Sequence, residues 1–307
     1  MKIFTRNEYG PLKSIIVGRA KSLAWPSNDK EFDQSIKSSK FSNKFKGGPI
    51  PEYIQNETEK DLEKLVQTLE KYKIEVYRPI INQSNWSYSA RDILLSVGNK
   101  IIECPTKYNS RRQEANFYEH VKNSAIKDGC EWIKAPVPET NDDPFFDAAN
   151  ICKFDDKLLY LVSSTGNRAG AEWLQTQVDT EFEVVVWEDV YAFAHIDSTI
   201  ISLNKNTIML NSSRVSHNSL PLFLRNHHKI WINDVVPRDF FQFPFASKWI
   251  GLNTLSINPE TVIVDSIQKK LIERLKDAKF NVIELELRHS RTLGGGFHCV
   301  TCDLERE

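Results

Sequence analysis

The sequence carries no surplus of either charge: 40 Lys and Arg stand against 41 Asp and Glu, for a formal net charge of −1. Without a basic field it invites neither nucleic acid nor an anionic membrane. No apolar run approaches the roughly 20 residues that a membrane-crossing helix needs. Met1-Lys2-Ile3-Phe4-Thr5-Arg6 lacks the apolar stretch of a secretory signal, and no mitochondrial leader is expected. Cysteine is scarce, and five in a chain of 307 residues, an odd number, do not read as a disulfide framework. A reduced, cytoplasmic protein is the expectation. Glycine is thin as well, at 12 residues, yet three stand together at Gly294, Gly295 and Gly296, just before Cys299. A backbone freed of side chains there can bend sharply or let another group approach closely. A cysteine just past such a corner can be a nucleophile, and can equally be a buried thiol.

What is present suits a globular core, with 40% hydrophobic and 26% charged residues. Leu12–Val17 reads as a strand, residues 19–56 as a long loop, and a helix follows. Asn56 and Glu59 form a capping-box pattern for it, and Leu62, Leu65, Val66, Leu69 and Tyr72 form its inner face. Ile74–Arg78 is then a strand. From there a unit repeats. Hairpins turn at Gly98-Asn99, at Asp155-Asp156, between Leu203 and Thr207, and at Pro259. Each is followed by a helix (near residues 110–127, 169–178, 219–226 and 266–278) and a further strand (131–135, 183–187, 229–233 and 282–287). These four strand–strand–helix–strand copies start near residues 92, 147, 197 and 252, a spacing of about 50 residues that indicates radial repetition. A strand at Gly296–Asp303 paired with Leu12–Val17 supplies a fifth unit and leaves no free sheet edge. The expected fold is α/β, one domain over residues 1–307: a five-bladed ββαβ propeller with pseudo-five-fold symmetry, closed by the N- and C-terminal strands. An open mixed sheet with helices is the alternative.

Polar residues recur at the start of each unit's first strand: Asp92, Asp147, His195 and Asp197, Ser247, and His298-Cys299. Taken singly, each has a bland reading as a turn, cap or surface residue. Their shared place in the repeat would bring them together on one axis. His195 and Asp197, two apart in a strand, would face the same cleft. Cys299 and Cys302 form a C-x-x-C, but that spacing puts the thiols on opposite strand faces, and no second pair completes a zinc site. Cys104, Cys130 and Cys152 read as core residues, and the remaining histidines are given no role. The converging set suits covalent catalysis: Cys299 as nucleophile, His195 lowering its proton affinity and shuttling protons, Asp147 orienting the ring. Asp92 and Asp197 are left to hold a planar guanidinium by its edges.

At these residues the chain resembles the glycine amidinotransferase family (L-arginine:glycine and inosamine-phosphate amidinotransferases), part of the guanidino-group modifying superfamily that includes arginine deiminases. The matching segments are Asn7-Glu8-Tyr9-Gly10-Pro11-Leu12, Ile16-Val17-Gly18-Arg19-Ala20, Arg91-Asp92-Ile93, Val97-Gly98-Asn99, Phe146-Asp147-Ala148-Ala149, Gly170-Ala171-Glu172-Trp173-Leu174, His195-Ile196-Asp197, Ser247-Lys248-Trp249 and Gly294-Gly295-Gly296-Phe297-His298-Cys299 through Thr301-Cys302-Asp303. They run over nearly the whole chain. The resemblance implies the five-bladed propeller, and the roles just given to Cys299, His195, Asp147, Asp92 and Asp197. It further implies that Arg214 binds the substrate carboxylate and that Ser247 stands beside it. Members acting on glycine carry an asparagine and a methionine where Ala192 and Ala194 stand, and a serine where Ala246 stands. The pocket wall is therefore expected to admit an acceptor larger or less polar than glycine. The expected reaction moves the amidino group of L-arginine to an acceptor amine, glycine as the first guess, with no metal or organic cofactor. The expected partners are these small molecules, without nucleic acid or membrane, and a homodimer would be ordinary. A deiminase or hydrolase on the same scaffold and a non-catalytic guanidine-binding protein are the rival readings.

Overall fold

Short β-branched and apolar runs separated by residues that accept a left-handed backbone fold into hairpins. Gly98 (φ +56°) turns Leu94–Val97 into Lys100–Glu103, and Asp155 (φ +53°) turns Ile151–Phe154 into Lys157–Leu161. Ile200–Asn204 with Thr207–Asn211, and Leu255–Asn258 with Thr261–Asp265, form two more antiparallel pairs. In each unit the second strand then pairs in parallel with a third: Glu131–Lys134, Glu183–Trp187, His228–Ile232 and Asn281–Leu285. The parallel partner requires a crossover, which the intervening helical segments provide. Thr301–Arg306 runs antiparallel to Leu12–Val17, which pairs in parallel with Glu75–Tyr77. The computed structural model describes residues 1–27, 29–37, 47–83, 86–237 and 246–307. Among these the chain forms five three-stranded sheets of one topology and a two-stranded bridge of Ala24–Trp25 with Gly48–Pro49. The fold is α/β. No helix among the described residues is long and apolar enough to cross a membrane.

An apolar cluster lies between each successive pair of sheets. Ile16, Cys302 and Leu304 meet Leu94 and Ile101; Leu95 and Val97 meet Ile151 and Leu158. Cys152 and Leu159 meet Ile200 and Ile208; Ile201 and Met209 meet Val262 and Val264. Leu255 and Ile263 meet Ile15 and Val17 beneath the helix Glu52–Lys71. Each sheet thus contributes side chains to two cores, as the alternation of side chains along a strand allows. Four of the five cysteines, Cys104, Cys130, Cys152 and Cys302, are buried within these clusters.

Several expectations are corrected. Residues 19–56 hold a helix, Lys30–Lys37, and the two-stranded bridge; positions 28 and 38–46 of that stretch lie outside the described residues. The helix expected from Asn56 starts at Glu52, after Pro51 (φ −50°), because proline's fixed φ suits a helix start. Glu59 is therefore no cap; its carboxylate accepts from Arg19, Arg78 and the Ala20 amide. Tyr72 ends that helix and is 49% exposed. The helix expected over 110–127 is broken into 3-10 turns at Asn109–Arg111 and Glu114–Tyr118 before Glu119–Lys127. The break lets Arg111 and Glu114 both turn inward. The strand expected from Gly296 begins only at Thr301, because Gly294 (φ +77°) ends the short helix Ser290–Leu293 and the chain turns again before extending.

Leu65 is fully buried in the core under the helix Glu52–Lys71. Leu65→Ala is expected to cost about 2–5 kcal/mol through lost apolar contact and the cavity left behind, measured by urea unfolding; Tyr72→Ala, at the exposed end, is expected to change stability by less than about 0.5 kcal/mol.

Candidate active site

Four of the five first strands are approached through a short helical segment or turn whose leading residue carries chemistry. Asp147 precedes the 3-10 turn Ala148–Asn150, His195 precedes Ile196–Ser198, and Ser247 precedes Lys248–Leu252. None of the three side chains caps its own helix, so each is free for other partners. His195 and Asp197 therefore share a helical turn and not a strand face, and Cys299 lies in a turn and not on a strand. Asp92 stands in the turn before Leu94–Val97.

These lead-in segments are tied to one another. The Arg91 amide donates to the Cys299 carbonyl (3.2 Å), and the Ala148 amide to the Asp92 carbonyl (2.9 Å). His195 Nε2 lies 3.1 Å from Asp147 Oδ2. Asn253 Nδ2 donates to the Asp197 carbonyl (3.4 Å), while Asn253 Oδ1 accepts the Cys299 amide (2.9 Å) and its carbonyl accepts the Phe297 amide (2.9 Å). The glycines make this approach possible. A Cβ on Gly296 would lie 2.6 Å from the Asn253 Cβ, and one on Gly295 would lie 3.0 Å from the Cys299 Cβ.

The side chains converge as the sequence pattern implies. His195, Asp197 and Cys299 each bring a polar atom within 4.8 Å of the others, and so do Asp92, Asp147 and His195. The Cys299 thiol donates to Asp197 Oδ2 at 3.0 Å, and His195 Nδ1 is 3.8 Å from Asp92 Oδ1. Asp92 Oδ2 accepts from Arg111 (2.7 Å), whose other nitrogens meet Glu114. Among the described residues, the buried Asp92 Oδ1 and Asp147 Oδ1 have no hydrogen-bond donor, an arrangement that costs free energy unless a donor arrives. Two clefts share Phe193, Ala194, His195 and Gly294 as walls. One is lined by Asp92, Arg111, Asp147, Trp86 and Tyr108; the other by Cys299, Asp197, Ser247, Ala246 and Tyr191. Ala194 and Ala246 thus stand at the pocket wall. Ala192 does not: it is exposed, outside both clefts, with its carbonyl accepting the Ser164 amide.

Charge is distributed unevenly. Burial opposes the His195 imidazolium, but Asp92, Asp147 and Asp197 outweigh it and lift the group to about 9. Burial, then the charges of Asp197 and Asp92, push the Cys299 thiol well above its ordinary value. Burial works against the Asp197 carboxylate too, but His298, His195 and the thiol hold it well below the usual range. Both shifts run the same way, toward a protonated thiol beside a protonated imidazole. Without substrate, burial and the two carboxylates outweigh any lowering of the thiol's proton affinity by His195. A metal ion entering either triad would first have to displace these protons. Arg214 donates to the Ser198 carbonyl, Ser198 Oγ, Thr199 Oγ1 and, at 3.4 Å, Ser247 Oγ, and lies over the Tyr191 ring. All of these partners are neutral, so the guanidinium keeps its charge available for an anion.

Along its whole length the chain is similar to inosamine-phosphate amidinotransferase 1 of Streptomyces griseus, at 36% identity over 99% of this chain and 97% of the relative. The chain belongs to the amidinotransferase family. It is a transferase, and one solved relative, an inosamine-phosphate amidinotransferase from Streptomyces griseus, superposes with a TM-score of 0.93 at 35% identity, over 99% of this chain and 97% of that one. The mitochondrial glycine amidinotransferase of Gallus gallus is 27% identical over 98% of this chain and 82% of its own length. No protein-family model matches.

Sequence reasoning gave no role to four groups around this site: Glu8, Arg111, Asn253 and His298. His298 was placed at the start of the fifth unit without one, and Glu8 stood inside a segment that carries the family resemblance. Arg111 and Asn253 carried no signal, because their roles depend on contacts far apart in the chain.

Gly296→Ala is expected to displace Asn253 and, through it, the Cys299 amide, lowering kcat/KM by as much as about 100-fold, as small misplacements of reacting groups do, with circular dichroism unchanged. The raised His195 contributes stability that is fully present below about pH 6.5 and is lost as pH rises through about 9. The unfolding free energy of the wild type relative to His195→Gln is therefore expected to fall across that window in a pH series of urea titrations.

Proposed function

We propose that the protein transfers the amidino group of L-arginine to an acceptor amine through a covalent intermediate on Cys299, within a single domain over residues 1–307. The same reading makes the five sheets the blades of an α/β propeller with pseudo-five-fold symmetry. It is supported by the five inter-sheet cores, which include one joining the fifth sheet to the first, and by the links between successive lead-in segments.

The observation that carries the function is the pair of carboxylates beside Cys299 and His195. Among the described residues Asp92 Oδ1 is buried without a donor, and Asp197 uses Oδ2 for the thiol and His298. A planar, fork-shaped cation satisfies both edges at once. Its charge also offsets the two carboxylates that hold the thiol protonated, so substrate binding itself favours the thiolate. The thiol proton is released to solvent as the substrate binds, and the thiolate then forms a bond to the guanidinium carbon. The bond from that carbon to the ornithine nitrogen breaks, and His195, already an imidazolium, gives its proton to the departing amine. Asp147 keeps the ring oriented. An amidino-cysteine remains. The acceptor amine attacks its carbon, neutral His195 takes the amine proton, and the thiolate leaves. Arg214, with Ser247 beside it, pairs with the substrate carboxylate.

The acceptor follows from the wall of the pocket. Ala194 and Ala246 leave space, and the relative of higher identity is named for an inosamine phosphate, the other for glycine. Glycine, giving guanidinoacetate, and a bulkier amino cyclitol are the acceptors to compare, and the alanines favour the bulkier one.

Intact-mass spectrometry of the protein with arginine alone is expected to show one added amidino group, absent from Cys299→Ala. That variant is expected to lose at least about 10⁴-fold in turnover while still binding arginine by calorimetry. Product analysis with a panel of amines is expected to yield ornithine and a guanidino compound. Turnover without a cysteine-dependent adduct, or citrulline or urea as the main product, would overturn the transfer reading.

A further inference from the structure

His298 is 3% exposed and precedes the nucleophile. Both of its ring nitrogens meet carboxylates: Nδ1 lies 3.1 Å from Asp197 Oδ2, and Nε2 lies 3.3 Å from Glu8 Oε2. Glu8, 4% exposed, comes from the N-terminal segment and also accepts the Cys152 thiol at 3.3 Å. Arg91 braces the arrangement from a third direction. Its Nε donates to the His298 carbonyl (2.8 Å), its amide to the Cys299 carbonyl (3.2 Å), and its Nη1 lies 3.8 Å from Glu8 Oε1. Nδ1 is within hydrogen-bond geometry of Asp197, while Nε2, with no hydrogen-bond partner among the described residues, faces the Glu8 carboxylate as an ion pair; a buried ring between two carboxylates is stabilised when both nitrogens carry protons.

We propose that Glu8 and His298 are positioning residues for amidino transfer, a carboxylate–imidazolium pair behind Asp197 that keeps that carboxylate ionised and fixed while the thiol beside it changes charge. The proposal rests on the transfer reading above. Asp197 Oδ2 receives two donors, the Cys299 thiol and His298. When the thiol ionises, one donor disappears and a second negative charge stands 3.0 Å away. An aspartate held only by the thiol would then take a proton and cease to bind a guanidinium. His298 is a second donor to the same oxygen that does not depend on the thiol, and Glu8 keeps it charged. The charged and titratable groups facing His298 are Glu8, Asp197, Arg91 and the adjacent Cys299; Lys153 and Asp303 act on Glu8 and Arg91. Burial and Arg91 disfavour the imidazolium, but Glu8 and Asp197 outweigh them and raise the group.

Two measurements test this. In the wild-type protein without substrate, nitrogen-15 NMR of labelled histidine, with His298 assigned by its loss in His298→Gln, is expected to report an imidazolium at pH 7.5, where an ordinary histidine is about 90% neutral. A neutral ring overturns the proposal. In His298→Gln, the acid limb of kcat/KM for arginine is expected to move up by about 1 to 3 pH units, the range by which a neighbouring opposite charge displaces a carboxylate. Glu8→Gln is expected to move it in the same direction by less. A role in packing alone would lower kcat/KM equally at every pH, and an unmoved limb in a folded variant overturns the proposal. If His298→Gln does not fold, Glu8→Gln and the wild-type ring, assigned then by its proximity to Cys299, still decide it. The ring measurement needs no turnover, so it stands apart from failure of the transfer reading, which the amine panel detects.

Discussion

A buried carboxylate that must serve several partners in turn is the constraint on which the rest of the site depends. Asp197 is 2% exposed and sits between a thiol and an imidazole. Removing such an anion from water is costly unless cations and donors surround it, and the surrounding structure supplies them. The buried Arg91 and Arg306 share Asp303, and Arg306 also ties the carbonyls of Gly10 and Ser256 (both 2.7 Å). Lys153, 2% exposed, reaches Thr5 Oγ1 and the Ser96 carbonyl. The interior beneath the site is thus an ionic assembly drawn from nearly every sheet. Its arginines hold backbone carbonyls as well as carboxylates, which fixes the lead-in segments mechanically as well as electrically.

The division of labour between the two imidazoles follows from their neighbours. His195 opens onto both clefts and has Asp92 and Asp147 on hand; its proton can leave and return. His298 is held between Glu8 and Asp197 and lines neither cleft. Two residues of the same type within one site thus stand in different surroundings: one faces a space where a small molecule can stand, the other faces charged groups.

Much of this was legible in the sequence, and the failures have physical causes. The strands Glu183–Trp187 and Thr207–Asn211 fall where periodicity put them, since runs of Val, Ile and Leu between turn residues leave little choice. The site residues were legible because the repeat assigns equivalent places to Asp92, Asp147, His195 and Cys299. Local propensity misled where tertiary demands override it. Asn56 and Glu59 look like a cap, yet Glu59 is needed by Arg19 and Arg78. Residues 110–127 look like one helix, yet Arg111 must reach Asp92. Residues 296–300 alternate like a strand, yet the left-handed Gly294 and the contact of Gly296 with Asn253 wind them into a turn.

The pairing of Thr301–Arg306 with Leu12–Val17 joins the two extremities of the sequence in one sheet. During synthesis the first of these strands leaves the ribosome long before its partner exists, and so must wait with one edge unpaired. The strand that follows Cys299 is made long after its partner, and its docking closes a very long loop, a non-local step that slows folding. A nascent chain can thus assemble four sheets and their carboxylates, but Cys299 joins Asp197 and His195 only when the final turn arrives.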